Sequence, residues 1–360
     1  MAKVDTQEGK INTHYKGIDL VKFIMAILIV TIHAQPFTSV NENLNQIVVD
    51  CIARLAVPFF FISSGFLLFR KEGNEWNHVK RYCLRMLKLY LIWTLIYLPL
   101  NLYECVVSKQ MHLWDAVPDI ARRTVLSGSY MQLWYFPAVI VAVLLVALCV
   151  RCKMKDGVML LIGSILYILG LSYQAWYGYF IQLPFMQSEK VAGIINGLFE
   201  LMITTRNGVF FGFFFVVLGR LFAKGKIMLP FKGAVVGLIG CLLWGVGETR
   251  YLLKTRIAWE RDMWMFLPFA TLFLFAIACQ IKPAVDSQRC KALRQAGVVI
   301  FLVHVGYEVM YRAVIVKLVG GVYHSLAAFG FVLLMSLVTA WGVQMLEQKK
   351  LFKWLGKLLT

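Results

Sequence analysis

Ten predominantly apolar stretches follow one another from Ile18 nearly to the C-terminus, separated by shorter polar segments. They fall near 18–37, 47–69, 89–107, 131–150, 157–175, 207–223, 233–247, 263–281, 297–316 and 324–346. A run of about 20 such residues crosses roughly 30 Å of hydrocarbon as an α-helix rising about 1.5 Å per residue. The runs are apolar on all sides rather than alternating with period two, which argues against spanning strands. The pattern predicts an all-α integral membrane protein with about ten transmembrane helices. It divides into a short segment at 1–17, a membrane domain over 18–346 and a basic tail at 347–360. The first run is too long for the apolar part of a secretory signal and no small-residue cleavage site follows it, so it is expected to stay. The run at 233–247 is the shortest and is rich in glycine.

Composition agrees. Of 360 residues 60% are hydrophobic and 16% charged, against about a quarter charged in soluble domains. A net charge of +18 invites a nucleic-acid reading, but the distribution of the charge argues otherwise. When alternate loops are assigned to opposite sides, one side holds 25 Lys and Arg and the other 10, with Arg54 and Arg312 inside helices. The positive-inside rule then puts the N-terminus in the cytoplasm, and an even number of spans returns the C-terminus there. Segment 248–262 departs from the rule: it is expected outside yet carries Arg250, Lys254, Arg256 and Arg261, partly offset by Glu248, Glu260 and Asp262. Most of the eight cysteines lie in apolar runs as small hydrophobes. Cys149 and Cys152 form a C-x-x-C with no second pair and no nearby histidine, so no metal site is expected.

Ionisable groups inside hydrocarbon cost about 2.5 kcal/mol or more each and mark function by default. Three sets stand out. In GIDLVKFIMAILIVTIH, a 100° step places Asp19, Lys22, Ala26, Ile29 and His33 on one stripe. Lys22 and His33 are then about 20° apart around the axis and about 16 Å apart along it. In ARLAVPFFFISSGFLLFRK, Arg54 opens an apolar helix that Pro58 loosens, and Ser63, Ser64 and Gly65 permit close packing or a backbone break. In FLVHVGYEVMYR, the spacing of His304, Glu308 and Arg312 puts all three on one face. Each has a plainer reading: a snorkelling lysine, helix-packing serines, a structural ion-pair ladder. Arg206 and Asn207, in TTRNG, and Trp134-Tyr135 sit at helix mouths, where aromatics often serve as interfacial anchors.

With these residues in view, the chain resembles the acyltransferase-3 family of multipass bacterial membrane proteins over nearly its whole length. The family signature, a basic residue followed eleven positions later by histidine, corresponds to Lys22 and His33; arginine is more frequent at the first position. Further family-like stretches are VPFFFISSGFLL, KRYCLRMLKLY, QLWYFPAVIV and FLVHV. The segment TTRNGVFFGFFFVVLG is similar to the membrane portion of vancomycin-resistance serine racemases. Neither the esterase-like domain of many family members nor a racemase domain is expected here.

The resemblance implies a bacterial plasma-membrane enzyme that transfers an acyl group, usually acetyl from acetyl-CoA, to an envelope glycan, lipid-linked sugar or small hydroxyl acceptor. His33 would be general base or nucleophile, Arg54 or Arg312 would stabilise an oxyanion, and Glu308 would orient a histidine such as His304. Lys22, Arg81, Arg85 and Lys88 would hold the coenzyme A phosphates. Asp19, Ser64, Trp134, Tyr135, Arg206 and Asn207 would contact substrate. Acyl-CoA enters as a donor substrate and no permanently bound cofactor or metal is expected. The bilayer is the expected partner, a homo-oligomer is compatible with the reading, and nucleic acid is not. Two alternatives stay open: a transporter or substrate-binding membrane domain, for example for serine, and a regulatory membrane protein without catalysis.

Overall fold

A computed structural model describes residues 15–70, 75–318 and 320–349. The expected N-terminal segment and basic tail lie largely outside these residues. Among the described residues all regular structure is helical, with no strand. Twelve helices account for most of them: α1 Lys16–Ala34, α2 Glu42–Phe69, α3 Glu75–Ser108, α4 Leu113–Leu126, α5 Tyr135–Arg151, α6 Asp156–Ser172, α7 Glu189–Met202, α8 Gly208–Ala223, α9 Phe231–Thr255, α10 Leu267–Gln280, α11 Ser287–Ile315 and α12 Ser325–Glu347. Six of these, α1, α2, α3, α9, α11 and α12, are long and apolar enough to cross a membrane. The shorter α5, α6, α8 and α10 are apolar too.

Helix ends follow local chemistry. The Asn41 side chain accepts from Leu44 N, Asn207 from Val209 and Phe210 N, and Asp286 from Arg289 N, each satisfying a free first-turn donor. At the end of α1, Gln35 turns left-handed at φ 44° ahead of Pro36, which cannot continue a helix. Three boundaries differ from the sequence expectation. The basic run KRYCLRMLKLY is already helical, so α3 starts at Glu75. The glycine-rich run at 233–247 extends to Thr255 because its polar residues Glu248 and Thr249 are buried against protein. Two amphipathic helices, α4 and α7, stand where the sequence indicated loops, and Arg122 of α4 donates to the Glu200 carbonyl of α7 at 2.7 Å.

Helix α1 is central and packs on α2, α10, α11 and α12, while α8 packs on α2, α5 and α6. The α2–α8 crossing is set by glycine. A Cβ on Gly65 would lie 2.3 Å from the Val216 carbonyl oxygen, and one on Gly219 would lie 2.2 Å from that of Ile62. Only glycine permits backbones this close. Helices α1 and α11 run parallel in constant register, with Gly297 against Ala26 and His304 against His33. The apolar window of α2 is 72% buried, and that of α3 only 17%; Leu84, Leu91, Leu95 and Ile96 leave α3 an open apolar face suited to lipid.

Candidate active site

The register of α1 and α11 brings two histidines together. The His33 and His304 rings lie 5.0 Å apart between centroids, tilted by 51°. His304 is wholly buried, and its Nδ1 is 3.0 Å from the Ile300 carbonyl oxygen. A carbonyl can only accept, so this contact puts the proton on Nδ1 and the lone pair on Nε2. That Nε2 is buried with no hydrogen-bond partner. The backbone of α11 is held around His304 by Tyr97, whose hydroxyl donates to the Leu302 carbonyl at 2.8 Å and accepts from Gly306 N at 3.1 Å. Gln132 donates to the same carbonyl at 3.3 Å. His33 is half-buried one residue before the end of α1.

Beside this pair lies a charged cluster drawn from three parts of the chain. In α2 the backbone passes through a π-turn at Val48–Ile52 and a 3₁₀ turn at Ala53–Leu55 before regular helix resumes. Pro58 supplies no N–H to the Arg54 carbonyl four residues back, which favours an irregular turn here. Arg54 so placed donates to Asp262 at 2.5 Å, and Arg206 meets the other oxygen of that carboxylate at 2.8 Å. Asp50 lies 3.9 Å from Arg54 and takes Arg261 at 3.1 Å. Arg206 also lies over the Trp134 ring, 4.7 Å from its centroid. The Nε atoms of both Arg54 and Arg206 are buried without a hydrogen-bond partner. Burial alone would raise the Asp262 carboxyl, but Arg206 and Arg54 outweigh it and hold the group below its ordinary value. The charges of Arg206, Arg54 and Asp262 all act on His33.

A cavity of about 150 Å³ opens toward the Lys22 end of α1. Lys22, Arg85 and Arg294 converge on it, and Asp19 is 3.7 Å from Arg294. The Nε atoms of Arg85 and Arg294 are buried without a hydrogen-bond partner. Three cations against one carboxylate suit an anion. Opposite them the Tyr82 hydroxyl donates to Ser64 at 2.9 Å, and Tyr135 lies 3.2 Å from the same oxygen.

Most sequence-selected residues thus fall into two groups. His33, His304, Arg54, Arg206 and Trp134 belong to one; Lys22, Arg85, Ser64, Tyr135 and Asp19 belong to the other. Asn207 caps α8 next to Arg206. Arg81 and Lys88 are exposed and do not line the cavity; Arg81 contacts the Asn77 carbonyl and His78. Glu308 and Arg312 form a local pair at 2.9 Å, with Arg312 over the Tyr323 ring at 4.3 Å, and the bond that fixes His304 is to Ile300 rather than Glu308. Sequence reasoning missed Asp262, Asp50, Arg294, Tyr82 and Tyr97. The available signal for Asp262 was the dense mixture of charges at 248–262, which the topology rule could not absorb.

Comparison with known proteins gives the same direction. The acyltransferase-domain family model matches residues 15–345. Over 281 residues, 74% of this chain, the protein is 32% identical to a serine/alanine racemase of Enterococcus gallinarum. Two amino-acid racemases of Enterococcus faecalis are 34% and 28% identical over 58% and 74% of the chain. The matched part is 38% of the length of the first of these relatives and 28% of the second, so this chain spans well under half of either. No solved structure matches it. The chain belongs to the acyltransferase-3 family of membrane proteins.

Proposed function

We propose that this protein is a bacterial plasma-membrane O-acyltransferase that moves an acyl group, acetyl above all, from acyl-CoA to a hydroxyl of an envelope glycan, lipid-linked sugar or similar acceptor. The observation that carries the reading is the His33–His304 pair, 5.0 Å apart, beside two half-buried guanidinium groups that share one carboxylate. In this scheme His33 accepts the proton of the acceptor hydroxyl as its oxygen attacks the thioester carbonyl. Arg54 and Arg206 face the charge that develops on the carbonyl oxygen. Collapse forms the ester and expels coenzyme A as thiolate, which takes the proton back from His33. His304, locked in one tautomer, packs against the His33 ring at 5.0 Å and limits its rotation.

Coenzyme A is polyanionic, and the Lys22–Arg85–Arg294 cavity is the polar entrance that suits its phosphates. Ten spans with both termini in the cytoplasm fit this arrangement. If α2, α3, α5, α6, α8, α9 and α10 each cross once, α1 and α11 must point the same way, as their parallel register requires. The donor would then enter from the cytoplasm and the acceptor would arrive at the His33 end. Glutamine at Lys22, Arg85 or Arg294 is expected to raise the KM for acyl-CoA and flatten its dependence on salt, whereas glutamine at the exposed Arg81 leaves both near wild type. Steady-state kinetics at two ionic strengths check this; equal effects at all four positions would reduce the cavity charges to topology signals.

A second reading comes from the relatives, which are named serine/alanine racemase and amino-acid racemase. Under it the same buried charges bind a zwitterionic amino acid for passage or presentation without acyl transfer.

A further inference from the structure

Of the cations in segment 248–262, Arg261 is paired with Asp50 at 3.1 Å. Arg250, Lys254 and Arg256 are exposed and make no ion pair among the described residues. Cations at the outer end of a span run against the positive-inside rule, which leaves them in want of an anion. An open groove of about 360 Å³ lies beside them, where the first turns of α2 meet the last turns of α9. Asn43, Gln46, Ile47, Thr249, Arg250 and Leu253 line it, none of them shared with the cavity of Lys22, Arg85 and Arg294. Its floor is protein: Thr249 is fully buried, with its hydroxyl 3.2 Å from Cys51 Sγ. Lys254 stands one turn beyond Arg250 on the same face of α9. The Gln46 amide nitrogen donates to Glu42 at 3.0 Å, which leaves the Gln46 carbonyl oxygen for a hydroxyl and sets one carboxylate against the two cations.

We infer that this groove is a binding site for an acidic saccharide, holding one unit of an envelope glycan away from the reacting hydroxyl. The inference rests on the topology and acceptor proposed above and adds where, and by what charge, the acceptor is held. Arg250 and Lys254 take the carboxylate or phosphate of the sugar. The Asn43 amide and the Gln46 carbonyl oxygen take ring hydroxyls, and Ile47 with Leu253 meets an apolar C–H face. The groove lies at the lower end of the range for small-ligand sites, about 300–1,000 Å³. Its place fits the same role. Ile47 precedes Arg54 by seven residues on α2, about 10 Å along the helix, and Asp50 between them is 3.9 Å from Arg54. A short oligosaccharide seated at Arg250 bridges that separation and brings a neighbouring unit beside the arginine cluster. A lipid headgroup would account for the cations but leave the two amides unused.

The test measures binding to the full chain in phosphatidylcholine nanodiscs by fluorescence anisotropy, with labelled tetragalacturonate, phosphorylated maltotetraose and neutral maltotetraose as probes. The wild type is expected to bind at least one acidic probe about tenfold or more tighter than the neutral one at low salt, with the difference shrinking as salt rises. Joint replacement Arg250→Gln and Lys254→Gln should abolish that preference, Asn43→Ala should weaken acidic and neutral probes alike, and Arg81→Gln should change neither. Thiol release from acetyl-CoA with a small soluble hydroxyl acceptor should stay near wild type in the double variant, because both cations lie outside the histidine–arginine centre. Equal binding of neutral and acidic probes, no binding of either, or a preference that survives in the double variant would overturn the inference. So would a double variant that binds the acidic probes normally but retains less phosphatidylglycerol by native mass spectrometry, since the surface would then serve lipid headgroups. The binding assay contains no acyl donor, so its failure leaves the acyltransferase reading standing, and absent thiol release with saccharide binding intact strikes that reading alone.

Discussion

Replacing His33 with alanine is expected to cut acyl transfer by at least about 10²-fold, the usual cost of losing a positioned general base. Yield and detergent stability should stay near wild type, because His33 is half-buried near the end of α1 and no packing core depends on it. The loss should fall on kcat rather than on donor KM, since the cations that suit the phosphates sit at the far end of α1. His304→Ala should also lower kcat, with some loss of stability, because His304 is fully enclosed and its removal leaves a cavity in α11 packing. A His33→Ala protein with wild-type turnover would take the histidine pair out of the chemistry and leave the arginines without a role there.

The second large effect is expected at Asp262. Its carboxylate is the shared partner of Arg54 and Arg206, and it is mostly buried. Asp262→Ala removes the carboxylate that Arg54 and Arg206 share and leaves Arg54 only the more distant Asp50 at 3.9 Å; breaking a buried pair in this way typically costs about 3–5 kcal/mol. A marked fall in unfolding temperature in detergent is the expected result, together with loss of acyl transfer; Asp262→Glu should recover part of both. The pH dependence has a defined sign. Because the arginines hold the folded-state carboxyl below its ordinary value, the stability this group contributes is present above the unfolded-state value and is lost only as pH falls through the lower, folded one. Wild-type stability should therefore show no Asp262-dependent decline between about pH 8 and pH 5. An Asp262→Ala protein as stable as wild type would mean the arginines find other partners.

Much of the helical framework was legible because a membrane demands long apolar runs, and those runs need no knowledge of neighbours. The two amphipathic helices were not, since α4 and α7 mix charges with apolar residues and read as loops without a surface to lie on. The Lys22–His33 stripe came from helical periodicity alone. His304 was recognisable as an intramembrane histidine, but its meeting with His33 depends on the α1–α11 register, which no local pattern encodes. The same limit explains Glu308 and Arg312: spacing gave their common face, while the local ion pair and the Tyr323 contact settled where they point. Asp262 shows the converse: the charge-dense segment 248–262 marked the region, but which of its residues matters depends on what the fold brings to it.

Acyl transfer from acyl-CoA to a hydroxyl acceptor is directly measurable. The direct measurement is purified protein in lipid vesicles, given radiolabelled acetyl-CoA and envelope extract, with released thiol and labelled acceptor counted against His33→Ala, and with serine uptake followed in parallel. The account predicts protein-dependent thiol release matched by label in the acceptor, and neither in the His33→Ala protein. Serine accumulation by the same vesicles, with acetyl-CoA left intact, would contradict it.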